Sequence, residues 1–431
     1  MNWVLFLVLL LLTIVNYLRA NRLFLHPNVL ACGFFSLSSF LMALNGERWG
    51  YDISFVTFIY IFIALIIFTL GENIGERNLA LNNTYDETET IDINFYYVRK
   101  PFLFVICVIC LLVTYKYFQH QYEASVSLGN NFGIAGMILY LRQSTVFDSE
   151  NEVLQLSTPL NIGLSFVRAV SNLCLYLLIL KLLKKEKDWY HYIIPIVCLM
   201  ANVILSTGRG GFISVVAAVI FDLFIITRMQ NMFSKNKKIM KYAIMSVVLF
   251  GVVFFALGTL TGKDEALNFT DAVSIYAGSG ILCLDYMLTH GWEASAFVGL
   301  NTFKGLYGFI GRFIDGIPSL TNHAEMVRWS DYSSNIYTTF APYIRDFGIV
   351  GSIIVVFFVG VLFGYLWKRF MEKEELSFLT IIYGGMFGYA LCMFSIAERL
   401  FSEYIALNVI AQLIILHIFI THFLKRENEL I

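Results

Sequence analysis

Apolar runs of about 20 residues recur along this chain of 431 residues with little between them, and no other feature restricts its fold so tightly. A run of that length crosses the hydrocarbon core of a bilayer as a helix, because a helix satisfies its own backbone N–H and C=O groups where no water can. Composition agrees: 58% of residues are hydrophobic, 14% are charged and the mean hydropathy is +0.70. That leaves too little polar surface for a soluble protein of this size. The sequence therefore predicts an all-α, polytopic membrane protein forming one transmembrane domain over residues 1–431. About eleven spans are expected, at Asn2–Leu18, Asn28–Leu44, Ile53–Leu70, Phe102–Phe118, Leu160–Leu182, Tyr192–Leu205, Gly211–Ile226, Tyr242–Leu260, Phe347–Trp367, Phe378–Phe394 and Tyr404–Phe423. Asn2–Leu18 lacks a basic start and a small-residue cleavage site, so it reads as the first span.

Basic residues set the orientation. The connections at 19–22, 77–100, 181–187, 228–241, 368–373 and 425–426 hold 19 of the 30 Lys and Arg, and are assigned to the cytoplasm. Two stretches then face outward as loops, a large one at Gly262–Asp346 and a smaller one at Gln119–Pro159, together with the STGRGG turn and the SIAERLFSE connection. The large stretch mixes aromatic, small and charged residues with no spanning run, and a loop that long among short connections points to function. Within it, Asp285 lies in an apolar segment, LCLDYML, expected to form an amphipathic helix on the membrane surface. The acidic segment Asn82–Asn94 reads as a solvated cytoplasmic connector, and its NNT sequon has no access to glycosylation there.

Few residues offer chemistry. Arg168 sits inside a span, where a guanidinium costs several kcal/mol unless it meets a polar cavity or partner. It is either an internal ion-pair or snorkelling residue or an anion ligand. Arg209, in STGRGG, stands beside the free amides of a helix start, an arrangement that favours phosphate or diphosphate; the bland alternative is a tight hairpin whose arginine meets lipid headgroups. The large loop adds Arg312, Arg328 and Arg345, with Asp285, His290, His323, Glu325 and Asp331 as proton acceptors and many aromatic rings for sugar stacking or interfacial anchoring. The seven cysteines lie mostly in apolar runs and read as small core residues, including the CxxC at Cys107 and Cys110. No P-loop, dinucleotide fingerprint, HExxH, GxSxG or outward DxD pair is present, so nothing points to a cofactor or a metal. A net charge of -1 with no basic tail offers nothing to nucleic acid.

The segments STGRGGFISVVAA, YAGSGILCLDYML, GLNTFKGLYGFIG and SSNIYTTFAPYIRDFGIVG resemble, in order and spacing, the bacterial O-antigen polymerase family, the Wzy-type oligosaccharide repeat unit polymerases. The resemblance covers roughly Ser206–Gly351, and its most specific pattern is Asn335, Tyr337, Thr338, Phe340, Asp346, Phe347 and Gly348. Ala341 departs from it, since family members often carry arginine before the Pro-Tyr found here at Pro342 and Tyr343. The resemblance implies an inner-membrane glycosyltransferase with a periplasmic active site. It would transfer a growing glycan from an undecaprenyl-diphosphate carrier to another lipid-linked repeat unit, beside a flippase and a chain-length regulator.

On that reading Arg168, Arg209, Arg312, Arg328 and Arg345 supply a diphosphate cradle, and His323, Glu325 or Asp331 is the base. Asn335, Tyr337 and Tyr343 contact glycan, and no metal takes part. Two rivals differ in testable ways. An O-antigen ligase would show a loop His with Gly eleven positions on, but His323 leads to Ser334 and His290 to Asn301. A flippase or other transporter would have short outward loops and broken helices in corresponding halves.

Overall fold

The computed structural model describes residues 1–77, 96–147, 155–208, 210–229, 269–311, 313–314, 316–317, 325–371 and 381–426. In chain order its helices are α1 (Asn2–Arg19), α2 (Pro27–Trp49), α3 (Phe55–Arg77), α4 (Lys100–Ser127), α5 (Ile134–Phe147), α6 (Thr158–Lys184) and α7 (Ile193–Leu205). There follow α8 (Gly210–Met229), α9 (Phe269–His290), α10 (Lys304–Ile310), α11 (Phe340–Met371), α12 (Tyr389–Cys392), α13 (Phe401–Tyr404) and α14 (Leu407–Ile418). The strands β1 (Tyr96–Val98), β2 (Val327–Trp329), β3 (Tyr332–Ser334) and β4 (Leu424–Arg426) make two small antiparallel ladders, β1 with β4 and β2 with β3.

Nine helical segments among the described residues are long and apolar enough to cross a membrane, as an all-α polytopic membrane protein requires. Eight coincide with expected spans. The ninth, Thr270–His290, falls inside the stretch read as an outward loop free of any spanning run. Asp271 and Asp285 interrupt its hydropathy in the sequence, yet both carboxylates are buried. Leu407–Phe423 is a shorter apolar helix, and the expected span Tyr242–Leu260 lies outside the described residues, as does the acidic segment Asn82–Asn94.

The chain divides into two compact units. The first comprises Met1–Tyr85, Leu267–Glu372 and Phe387–Ala406, and the second Asp86–Ala266, Lys373–Met386 and Leu407–Ile431. In the second unit α6 is central, packing against α4, α7, α8 and α14. It is capped by Lys185 in the left-handed conformation and tied to α7 where Ser171 Oγ donates to the Pro195 carbonyl at 2.6 Å.

The first unit is built on α3 and α11, which run parallel and touch through their backbones. Gly71 and Gly75 on α3 face Gly360 and Gly364 on α11, a small-xxx-small pair on each side. A Cβ on Gly71 or Gly75 would fall on the carbonyl oxygen of Phe357 or Val361, and one on Gly360 or Gly364 on that of Phe68 or Glu72. Without a hydrophobic driving force between helices in lipid, such close contact supplies the dispersion energy of association. Further along the same seam Tyr60 and Ser352 share a hydrogen bond of 2.8 Å.

Aromatic packing continues the core. Phe35 of α2 stacks on Phe340 at 5.0 Å, and Phe394 meets Phe340 and Phe68 edge-on or tilted at 5.8 and 5.2 Å. Near its start α11 kinks at Gly348, with φ 69° and ψ -179°, a conformation open essentially to glycine alone.

Gly75→Val is expected to destabilise the protein by about 3 kcal/mol or more, because neither backbone can yield. Gly308→Ala, where an added Cβ meets nothing within 4 Å, should leave stability unchanged. The midpoint of thermal unfolding in detergent measures both.

Candidate functional site at one end of the first unit

Helix α9 lies obliquely across the ends of α2 and α3. Asp271 and Asp285 are about 21 Å apart along it, and they bind the last turn of α2 and the connection from α2 to α3 respectively. Asp271 accepts a two-pronged ion pair from Arg48, one arm at 2.6 Å. Asp285 accepts from Tyr51 Oη at 2.7 Å and from the amide and hydroxyl of Ser54 at 2.9 and 2.6 Å. Between them Gly278 lets α9 rest on Leu41, Met42 and Trp49. Four successive side chains, Ile281 to Leu284, are fully buried, so α9 is enclosed on every side rather than lying on a surface as an amphipathic helix. With both oxygens occupied, Asp285 serves as a fastener and not as a proton acceptor.

Over α9 sits the hairpin β2–β3, turned by Ser330 and Asp331, with Ser330 at φ 46°. Ser279 donates to Ser334 at 2.9 Å, and Trp329 meets Trp49 edge-on at 5.8 Å. Inward Val327 and Trp329 alternate with outward Arg328, as period-2 geometry requires. Glu325, Arg328, Asp331 and Asn335 are all exposed here.

The pattern beginning at Asn335 then divides its work. Tyr337 donates to the Glu325 carbonyl at 3.2 Å, and the Arg345 guanidinium lies 5.2 Å from the centre of its ring. Burial pushes the Tyr337 phenol up, so it donates throughout the physiological range. Phe340 fills the core and Gly348 makes the kink. Asp346 organises the loop 295–302. It accepts from Ser295 Oγ, from the Asn301 amide at 3.1 Å and side chain at 3.0 Å, and from the Thr302 amide at 2.6 Å. The Arg345 carbonyl accepts from the Ser295 amide at 3.1 Å and ties the same loop once more.

Sequence reasoning missed a second charged group. Arg399 of the SIAERLFSE connection pairs with Glu403, both about one-third exposed. Glu398 is buried and accepts from the Phe401 and Ser402 amides at 2.8 Å and from Tyr343 Oη at 3.3 Å. Burial raises the Glu398 carboxyl above its usual range against those hydrogen bonds. Lys304, at the start of α10, is held below the usual lysine range by burial and then by the Arg399 charge, with Glu403 and Glu398 opposing. Charged residues beside an apolar connection were the available signal, in Glu398, Arg399 and Glu403.

Among the residues singled out from the sequence, the structure therefore gathers Glu325, Tyr337 and Arg345, and presents Arg328, Asp331 and Asn335 on the adjoining hairpin. Tyr343 does not join them. With none of its surface exposed, its ring packs on Phe401 and has no face for a sugar, so it is a core residue. His290 ends α9 stacked on Tyr286 at 4.1 Å. Arg168 is exposed on α6 in the second unit, and Arg209, Arg312 and His323 lie outside the described residues. All seven cysteines are free thiols.

A protein of Shigella dysenteriae named O-antigen polymerase is 22% identical to this chain over 219 residues. The match spans 50% of this chain and 53% of that relative, about half the length of each. No protein-family model matches the chain, and no solved structure matches it.

Asp346→Asn should loosen the loop 295–302, because an amide cannot accept from every donor now around the carboxylate. Losing about 2 kcal/mol of charge-assisted hydrogen bonding corresponds to roughly 30-fold faster chymotrypsin cleavage between residues 291 and 311. Equal cleavage rates in the two proteins would mean that Asp346 does not hold the loop.

Proposed function

We propose that this protein is an O-antigen polymerase, a glycosyltransferase that joins lipid-linked oligosaccharide repeat units into a long polysaccharide. The observation that carries the reading is the likeness to the Shigella protein of that name over 219 residues. The end of the first unit that holds Arg48, the hairpin and α10 faces the periplasm. Supporting this, the opposite end gathers Arg19, Arg22, Arg77, Lys368 and Arg369, the pattern of a cytoplasmic face. The donor is an undecaprenyl-diphosphate glycan. The chain sits in the bacterial inner membrane and works beside a flippase and a chain-length regulator.

The chemistry asks for two things. A diphosphate leaving group gathers charge as its glycosidic bond breaks, and cations fixed in place stabilise it without having to reorganise. Arg328 and Arg345 take this role in the first unit, Arg168, Arg209 and Arg312 remain the sequence's other candidates for it, and the Lys304–Arg399 pair offers a second cationic edge. The acceptor hydroxyl must lose a proton as it attacks the anomeric carbon, and Glu325, Asp331 or His323 receives it. Asn335 is exposed and meets the sugar, with the half-buried Arg345 and the buried Tyr337 behind it.

Glycan banding in the source bacterium, with this gene deleted and then restored, tests the reading. Arg345→Ala should cut high-molecular-weight polymer at least tenfold and leave the single repeat unit, and Arg209→Ala should do the same. Arg345→Lys should recover part of it, since lysine keeps the charge and loses the planar fork. A full ladder in both alanine variants would sink the cradle. Loss of the single unit on gene deletion would assign the protein to ligation or flipping instead.

A further inference from the structure

At the other end of the first unit, far from the hairpin, three potential ligands converge. His26 precedes α2, and Glu72 and Glu76 lie one turn apart near the end of α3, on one helical face. Their nearest nitrogen and oxygen atoms all fall within 4.8 Å of one another. Gly364 of α11 packs directly on the backbone of this turn, so the two carboxylates project from a fixed base. Trp367 walls the group, its ring 5.3 Å from the imidazole.

Hydrogen bonding orients the imidazole. Asn28 Nδ2 donates to Glu72 Oε2 at 3.2 Å, which turns Asn28 Oδ1 toward His26 Nδ1 at 2.8 Å. A carboxylate only accepts, so the amide orientation follows, and His26 must carry a proton on Nδ1. His26 Nε2 faces Glu72 Oε1 at 3.4 Å and Glu76 Oε2 at 3.7 Å. Glu72 Oε1 has no hydrogen-bond partner, although none of the Glu72 side chain is exposed. An orphaned carboxylate oxygen at that depth needs a cation.

Four ligands at about 2.0–2.1 Å from a tetrahedral ion stand roughly 3.4 Å apart, which fits both separations. Glu76, 41% exposed, has the freedom to close the remaining edge and leaves water access to a fourth position. Asn28 plays the part of the outer residue that orients two ligands at once.

We propose that His26, Glu72 and Glu76 bind a divalent transition-metal ion of the zinc or manganese class, one imidazole and two carboxylates suiting such an ion. The ion staples the connection between α1 and α2 to the end of α3. It lies at the opposite end of these helices from the residues assigned to glycosyl transfer and takes no part in that chemistry.

The test uses the full chain purified in detergent through a tag without histidine, stripped with chelator and titrated with Zn²⁺, then Mn²⁺ or Mg²⁺. Metal content after gel filtration is read by mass spectrometry, alongside the midpoint of thermal unfolding. The wild type should retain about one Zn²⁺ or Mn²⁺ per chain, resist replacement by Mg²⁺ and melt at a higher temperature when loaded. Glu76→Gln, at a half-exposed position, should fold and bind at least tenfold more weakly, as should His26→Gln. Retention equal to that of Glu76→Gln, or a midpoint that metal does not move, would overturn the site and leave a proton-bridged cluster.

Discussion

The contact of α3 with α11 is the constraint on which the first unit depends. Four glycines let two backbones approach so closely that no side chain fits between them, and the pairing fixes both ends of the unit at once. Toward one end the shared seam delivers Phe340 into the aromatic core and starts the segment that carries Arg345, Asp346 and Gly348. Toward the other it holds the turn that bears Glu72 and Glu76. A helix pair joined through flexible side chains would leave these groups free to shift by ångströms. A backbone contact does not.

Buried charge in this unit follows one rule. A carboxylate that leaves water must find donors or a cation, and where it does, it becomes a fastener. Asp285 is satisfied by Tyr51 and Ser54, Asp271 by Arg48, Asp346 by two backbone amides and two side chains, and Glu398 by the start of α13. All but Glu398 join segments distant in sequence, so irregular chain between helices gains a defined course without a large apolar core beneath it. Loops held in this way can present Arg328 and Asp331, whose side chains remain exposed, beside the half-buried Arg345. That division between buried anchors and exposed chemistry is the physical content of the pattern around Asp346.

Much of the fold was legible because bilayer thickness imposes a length on apolar runs, and eight spans follow from that alone. Helix α9 was not, since Asp271 and Asp285 break its hydropathy and their partners, Arg48, Tyr51 and Ser54, stand more than 200 residues earlier. The pattern from Asn335 to Gly348 could be seen in the sequence, but its division of labour could not. Nothing local shows that Tyr343 faces inward or that Asp346 serves a loop fifty residues upstream. The spacing of Gly71 with Gly75 and of Gly360 with Gly364 was open to view, and which helix each pair met was not. The cluster of His26 with Glu72 and Glu76 was hidden for the same reason, because only the fold of α1 to α3 brings position 26 to the end of α3.

The two ends of the first unit therefore pose opposite electrostatic problems. At the hairpin end the buried carboxylates are satisfied, Asp271 by Arg48 and Asp285 by Tyr51 and Ser54. At the α3 end Glu72 keeps a buried oxygen without a hydrogen-bond partner, 3.4 Å from His26 Nε2, where the proposed ion would sit. A single chain meets both needs only if the helices between them are stiff enough to keep the two environments apart. The glycine seam, in which backbone meets backbone, holds both ends on one pair of helices.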